Sequence, residues 1–251
     1  LDGGWVRPLP EVEVAPGCFV KNTKNMDIDM PRIAAMARRL QPGLLIVDRS
    51  VTGRYENYRT PEQEVPDEPL PYPWETCMTM GDQWSFKPND NYKSPRRLVH
   101  LLVDIVSKGG NFLLNVGPSP EGELPPEALA RLRAIGEWMK VNAEAIYGTR
   151  PVAPYKEGRV CFTSLADGTV YAVYLAADGE TAPPATIALG TVTPEKGSVV
   201  RMLGVREPVR WERTGTGTLL TLPRQAVASP PCREAWVFKL KPARTGQGAG
   251  S

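Results

Sequence analysis

The sequence predicts an α/β protein, a partial (β/α)8-like barrel followed by an antiparallel β-sandwich, and three observations lead there. Between residues 29 and 148, helical periods alternate with short apolar runs. After Gly148-Thr-Arg-Pro151 the helical period gives way to short segments spaced by turns. No glycine-rich loop joins a strand to the start of a helix. Alternating strands and helices make parallel sheets with right-handed crossovers, which either stay open or close as a barrel. Gly109-Gly110 follows a helix rather than opening one, so the dinucleotide-binding form of the open sheet is not supported and the barrel is favoured. The expected division is residues 1–148 for the barrel part, 149–242 for the sandwich and 243–251 for a flexible tail.

Each element has its own signal. Asp29 can cap a helix with Pro31 in its first turn, and Ile33, Met36, Ala37 and Leu40 then share one face, with Gly43 just past the end. Leu44-Leu-Ile-Val47 is apolar on both faces, as suits a covered parallel strand, and ends on Asp48. A long Pro-rich loop follows, then a short strand over Thr76 to Met80. Ser94-Pro95 opens a second helix with the stripe Leu98, Leu101, Leu102, Ile105, Val106, closed by Gly109-Gly110. Asn111 to Val116 is another buried-type strand. A third helix runs from Pro125 to about Ala145 with Leu129, Leu132, Ile135 and Met139 inward. Four strand ends, near Asp2, Asp48, Met80 and Val116, amount to about half a barrel.

In the second half, strands are expected at Val160 to Ser164, Val170 to Leu175, Ala185 to Leu189, Val199 to Leu203, Leu219 to Leu222 and Ala235 to Leu240, with no helix. Asp167-Gly168 joins the first two as a hairpin.

Composition narrows the function. Hydrophobic residues make 41% of 251 and charged ones 23%, enough for a sizeable core, and Gly 23 with Pro 26 implies many turns. A net charge of +2, with no basic run interleaved with aromatics, speaks against nucleic acid or an anionic membrane as partner. The apolar stretches Leu44 to Val47 and Leu98 to Val106 fall short of the ~20 residues a membrane span needs. The opening Leu1-Asp-Gly-Gly-Trp5 has no initiator Met, no charged n-region and no apolar h-region, the pattern of the middle of a longer protein. Cys18, Cys77, Cys161 and Cys232 lie far apart and the one imidazole is His100, which argues against a zinc site and leaves disulfide pairing open.

Barrel chemistry is carried at the C-terminal ends of strands. Asp2, Asp48 and Asn115 stand at such ends, Glu62 and Glu75 lie in the long loop, and Trp5, Tyr55, Tyr58, Trp74 and Trp84 crowd the same loops. Carboxylates beside aromatic faces suit a sugar site, though other barrel enzymes share this constellation. A Ser-His-Asp hydrolase would need a usable histidine. His100 is expected on the polar helix face with Arg97, Asp104 and Ser107, exposed to solvent. The cysteines read as small hydrophobes with no histidine to activate them.

Several stretches carry a family resemblance: Trp74-Glu-Thr-Cys-Met-Thr79, Gly81-Asp-Gln-Trp84, Gly136-Glu-Trp138, Ala145-Ile-Tyr-Gly-Thr149 and, most specifically, Ser107-Lys-Gly-Gly-Asn-Phe-Leu-Leu-Asn-Val-Gly-Pro118. Over Asp2 to about Arg150 the chain resembles the α-L-fucosidases of glycoside hydrolase family 29. The resemblance implies the C-terminal half of the (β/α)8-like catalytic barrel with a C-terminal β-sandwich, and retaining hydrolysis of terminal α-L-fucosyl linkages by double displacement. It implies fucosylated oligosaccharides or glycoconjugates as partners, no metal and no organic cofactor. Only this substrate class points to a secreted or periplasmic location, and oligomeric state is not implied.

The resemblance also implies roles. Leu1-Asp2-Gly3-Gly4-Trp5 matches the family's strand-end nucleophile motif, which makes Asp2 the nucleophile and Trp5 a substrate contact. Thr60-Pro61-Glu62-Gln63 matches the acid/base segment, which makes Glu62 the acid/base; Glu75 and Glu64 are the rivals. Arg49 matches an arginine that reaches the sugar, with an Asp48–Arg49 structural network as its bland alternative. Trp84 matches the aromatic that packs where the fucose methyl lies, with a core role as the alternative. The family's sugar-binding histidines belong to barrel strands that precede this sequence. The chain alone is therefore expected to be inactive, and a non-catalytic carbohydrate-binding or degenerate glycosidase-like protein is the other reading.

Overall fold

The computed structural model describes residues 11–15, 18–21, 28–47, 49 and 53–243. An antiparallel hairpin, β1 (Glu11–Ala15) with β2 (Cys18–Lys21), precedes helix α1 (Met30–Leu40). The helix stands where its periodicity places it, and Gly43 turns the chain beyond it at φ 83°. Its cap and its face differ from expectation. Asp29 sits at φ 51° without a side-chain cap bond, and Ala34 is buried while Met36 and Leu40 are 45% and 76% exposed.

The barrel part is a wall of parallel segments in chain order. Val47 bridges Tyr58, Arg59 bridges Trp74 and Glu62 bridges Cys77, each parallel. β3 (Trp74–Thr79) then pairs in parallel with β4 (Gly110–Asn115), from Trp74↔Gly110 to Thr79↔Asn115. The 58–62 segment, expected as loop, is part of this wall. Its backbone runs between neighbours through Arg59 N–H to Pro73 C=O, Glu75 N–H to Arg59 C=O and Gln63 N–H to Cys77 C=O. Pro61 has no N–H to give, which keeps the ladder to isolated bridges and hides the strand from pattern reading.

Helix α2 (Pro95–Ser107) starts as predicted, with Ser94 Oγ accepting the Arg97 N–H at 3.1 Å. Its predicted stripe is only one of two buried faces. Leu101 and Ile105 pack on Trp74 and Met78 of the wall, while Val99 and Val103 pack on Tyr171, Val173 and Val237 of the C-terminal sheet. The Gly-Gly pair after it is steric in origin. Gly109 reverses the chain at φ 80°, and a Cβ on Gly110 would lie 2.4 Å from the Trp74 ring. Helix α3 (Pro126–Asn142) ends in a 3-10 turn over Ala143–Ala145. Its buried residues are Ala128, Trp138 and Asn142, whereas Leu132 of the expected stripe is 37% exposed. Trp138 sets this orientation: its Nε1 donates to Ala235 C=O at 2.9 Å and its ring fills the space before the C-terminal sheet.

That sheet contains β5 (Arg150–Glu157), β6 (Val160–Ser164), β7 (Val170–Leu175), β8 (Thr186–Leu189), β9 (Val200–Met202), β10 (Pro208–Thr214), β11 (Gly217–Thr221) and β12 (Ala235–Leu240). The order is β5-β6-β7-β12-β9-β10-β11-β8, antiparallel throughout. It curls so that Phe162, Ala172, Leu189, Met202, Leu220 and Phe238 meet in one core between two layers. Glu157 at the end of β5 accepts the N–H groups of Gly190 and Thr191 at 2.8 and 2.9 Å, tying one edge strand to the other. Pattern reading misses β5, β10 and a short helix α4 (Arg224–Ala228). β5 carries Pro151 and Pro154 at the sheet edge, and β10 buries only Val209, so neither shows a clean alternation. The whole is a partial barrel with an antiparallel β-sandwich packed on the outside of its helices.

Candidate active site

Alternation along the wall sorts its side chains. On β3, Trp74 and Met78 point out to α2 and leave Glu75 and Cys77 for the inner face. In the 58–62 segment Arg59 points outward over the Tyr72 ring at 4.5 Å, and Tyr58, Thr60 and Glu62 face inward. With Val47, Arg49, Trp84 and Asn115 these inner-face groups line one cleft of about 740 Å³.

Within it, Glu62 and Arg49 form an ion pair, Nη1 to Oε2 2.5 Å, with side chains 41% and 30% exposed. Register sets the level of each carboxylate. Glu62 is opposite Cys77, so Glu75, two residues earlier on β3, lies ~6–7 Å nearer the N-terminal end of the wall. Glu64 leaves the cleft altogether. The backbone turns at Gln63, φ 56°, and Glu64 lines a separate cavity with Lys93, His100 and Asp104. The Cys77 thiol, held between these groups, is pushed above its ordinary value by burial first and by Glu62 and Glu75, against the pull of Arg49.

Trp84 is 40% exposed at the cleft and rides on the loop between β3 and α2. Asp90 pins that loop. Its carboxylate, 4% exposed, accepts the N–H groups of Asn91 at 2.9 Å and Asp82 at 3.2 Å and lies 3.6 Å from Lys87 Nζ. Burial opposes the charge on Asp90, but these donors, with Gln83 N–H, outweigh it and hold the carboxyl below its ordinary value. Two motif glycines make room for the loop. A Cβ on Gly81 would sit 2.0 Å from Asp90 Oδ2, and one on Gly117 would sit 2.5 Å from Phe86 N. At the end of β4, Asn115 Oδ1 is buried with no hydrogen-bond partner among the described residues.

The structure thus brings Glu62, Arg49 and Trp84 to one cleft, with Glu75 deeper in it. Asp2, Trp5 and Asp48 lie outside the described residues. His100 is corrected: it is half-buried between α2 and the sheet, Nε2 2.8 Å from Glu234 C=O, because that face of α2 is covered by the second half of the chain. Cys77, Cys161 and Cys232 are free thiols. Among the described residues no three His, Cys, Asp or Glu side chains converge as metal ligands. Sequence reading gave no role to Asp90, whose carboxylate accepts backbone N–H groups, or to Gln63, whose side-chain amide bonds Thr79, because neither contact is visible from residue type and spacing.

A family model described as alpha-L-fucosidase matches residues 1–144, and one described as the alpha-L-fucosidase C-terminal domain matches residues 155–241. The alpha-L-fucosidase of Branchiostoma floridae is 35% identical over 176 residues, covering 67% of this chain and 38% of that protein. Alpha-L-fucosidase isoenzyme 1 from Paenibacillus thiaminolyticus superposes with a TM-score of 0.72 at 29% identity, over 84% of this chain and 53% of that one. Thermotoga maritima alpha-fucosidase in complex with a mechanism-based inhibitor gives 0.71 at 25%, over 85% and 49%. The chain therefore spans about two fifths of the length of the curated relatives it matches. Matched along most of its length by the two models in succession, the chain belongs to the α-L-fucosidases of glycoside hydrolase family 29.

Proposed function

We propose that the protein hydrolyses terminal α-L-fucosyl linkages of oligosaccharides or glycoconjugates with retention at the anomeric carbon. The observation that carries this is Glu62 at the cleft mouth, paired with Arg49 and sharing the cleft with Trp84. In the first step a carboxylate oxygen of Asp2 bonds to C1 as the C1–O bond to the leaving group breaks, and Glu62 gives its proton to the departing oxygen. In the second, Glu62 takes a proton from water, the water oxygen bonds to C1, and the ester to Asp2 breaks, restoring both carboxyl groups. A separation of ~5–5.5 Å between the two carboxyls is what this retaining geometry requires. Arg49 would hold the sugar against the acid/base, and Trp5 and Trp84 would offer it aromatic faces. Residues 1–148 form the catalytic unit in this reading, 149–242 the sandwich that backs its helices and 243–251 the tail.

The test is hydrolysis of an aryl α-L-fucoside by the full-length protein and by Asp2→Gly. The expected result is turnover in the first and loss of at least ~10³-fold in the second, within the range that covalent catalysis contributes. Unchanged turnover in Asp2→Gly removes the nucleophile assignment. No turnover in a folded full-length protein favours a carbohydrate-binding or degenerate glycosidase-like role.

A further inference from the structure

We infer that Gln63 is a positioning residue that fixes the carboxyl of Glu62 at the mouth of the cleft; this rests on the acid/base reading of Glu62 above. Three contacts make the fixture. The Gln63 N–H donates to Cys77 C=O at 2.9 Å, its side-chain Nε2 donates to Thr79 Oγ1 at 3.0 Å, and its Oε1 accepts the Thr79 N–H at 3.3 Å. Thr79 is itself immobilised, because its hydroxyl donates to Gly81 C=O at 2.6 Å and its carbonyl accepts Lys93 Nζ at 2.7 Å. The amide of Gln63 therefore spans from the acid/base segment to the end of β3, across a chain separation of 16 residues.

This clamp bears on a backbone that is strained where it turns. Gln63 is in the left-handed region at φ 56°, which a side chain other than Gly enters at a cost of about 1 kcal/mol. Pro61 withholds the N–H that would otherwise pair the segment with its neighbour. Glu62 thus sits between a proline and a strained residue, and the side-chain amide of Gln63 adds two bonds to the backbone bond to Cys77 C=O and to the bond from the Thr76 hydroxyl to Glu64 C=O. Without it the turn relaxes and the Glu62 carboxyl leaves both Arg49 and the leaving-group oxygen. A general acid displaced by about 1 Å loses a large part of its effect.

The role predicts a dependence on the leaving group that a loss of stability would not produce. A poor leaving group needs the proton from Glu62, and a good one such as fluoride or 2,4-dinitrophenolate departs without it. In the full-length protein, Gln63→Ala is expected to lower kcat/KM for an alkyl α-L-fucoside by about 10–100-fold and for α-L-fucosyl fluoride by less than about twofold. Thr79→Val, which removes the hydroxyl that accepts Gln63 Nε2 and keeps the N–H that Oε1 accepts, should reproduce the pattern at smaller size. Equal losses on both substrates in both variants would overturn the inference. Glu62→Ala is the reference: if it too loses the substrates equally, the acid/base reading fails rather than the clamp. A crystal structure of Gln63→Ala that keeps Glu62 on Arg49 would also overturn it, independently of turnover.

Discussion

Arg49 Nη1 lies 2.5 Å from Glu62 Oε2, so two side chains from neighbouring segments of the barrel wall meet at the cleft mouth although 13 residues separate them in the chain. The two side chains are 30% and 41% exposed, a setting in which ion pairs contribute ~0–1 kcal/mol to stability. Stability alone therefore gives little reason for the pair, and its place in the cleft beside Trp84 is what a role in turnover would use. Arg49→Ala is expected to leave the unfolding free energy within about 1 kcal/mol and to lower kcat/KM for an aryl fucoside by roughly 10–100-fold. Urea unfolding and initial-rate kinetics on the same preparation check this. A large loss of stability with unchanged kinetics would return Arg49 to a structural role.

The loop that carries Trp84 depends on a buried charge. Asp90 accepts two backbone N–H groups and faces Lys87 with its side chain 4% exposed, so removing it gives those donors over to water and frees the loop. Because water can take over these exposed donors, Asp90→Ala should destabilise the protein by about 1–2 kcal/mol in urea unfolding, nearer the net worth of ordinary hydrogen bonds. Because its folded-state carboxyl is held below the ordinary value, its contribution is present above the unfolded value and is lost as pH falls through the folded one. The difference between wild type and Asp90→Ala should therefore shrink below about pH 4.

Much of this was legible in the sequence, for reasons that can be named. Helices α1, α2 and α3 and strands β3 and β4 follow from periodicity, and the cap Ser94 follows from its position before Pro95. The glycines of the Ser107 to Pro118 block could be recognised as a motif, but not why they are glycines. Trp74 covers Gly110 and the Trp84 loop crosses Gly117, contacts between residues 31 to 36 apart. Burial on two faces was equally hidden. His100 read as exposed because its helix was judged against one neighbour, and the second neighbour, Glu234, comes from the far end of the chain. At the site, carboxylate and arginine types could be listed from the sequence, whereas the level of Glu62 above Glu75 is a matter of register that only the wall supplies.

Trp84 presents an indole, 40% exposed, to the cleft. If it receives the methyl group of the sugar, its loss should cost discrimination more than chemistry. A methyl-scale contact is worth ~1–3 kcal/mol, so Trp84→Ala should reduce the preference for an aryl α-L-fucoside over its 6-hydroxylated counterpart by about 10–100-fold in kcat/KM. Gly117→Ala should act in the same direction, since its added methyl pushes on the backbone of Phe86 and Ser85 beside Trp84. Unchanged preference in both variants would place the methyl elsewhere.

The free thiols supply a pH-dependence with a defined sign. Cys161 is fully covered by the cluster between α2 and the C-terminal sheet, and burial pushes its thiol up to about 11. Cys232, beside Asn142, is likewise pushed up to about 11 by burial. An unfolded thiol loses its proton near pH ~8.5–9, while the folded thiols keep theirs. Between these values the native state binds more protons than the unfolded state, so stability falls as pH rises, by up to ~1.4 kcal/mol per pH unit for each thiol. Tyrosines and lysines titrate in the same range, and comparison with a variant removes them. Urea unfolding at pH 8.5 and 10.5, two settings chosen to span roughly this window, should show a steeper loss in wild type than in Cys161→Ala. The same chemistry predicts that Cys161 resists iodoacetamide in the folded protein at pH ~8, because the thiolate is the nucleophile and little of it forms there. Parallel slopes in the two proteins would mean that Cys161 ionises as easily folded as unfolded, which a thiol buried against Val99, Val103 and Trp138 cannot do without opening that layer.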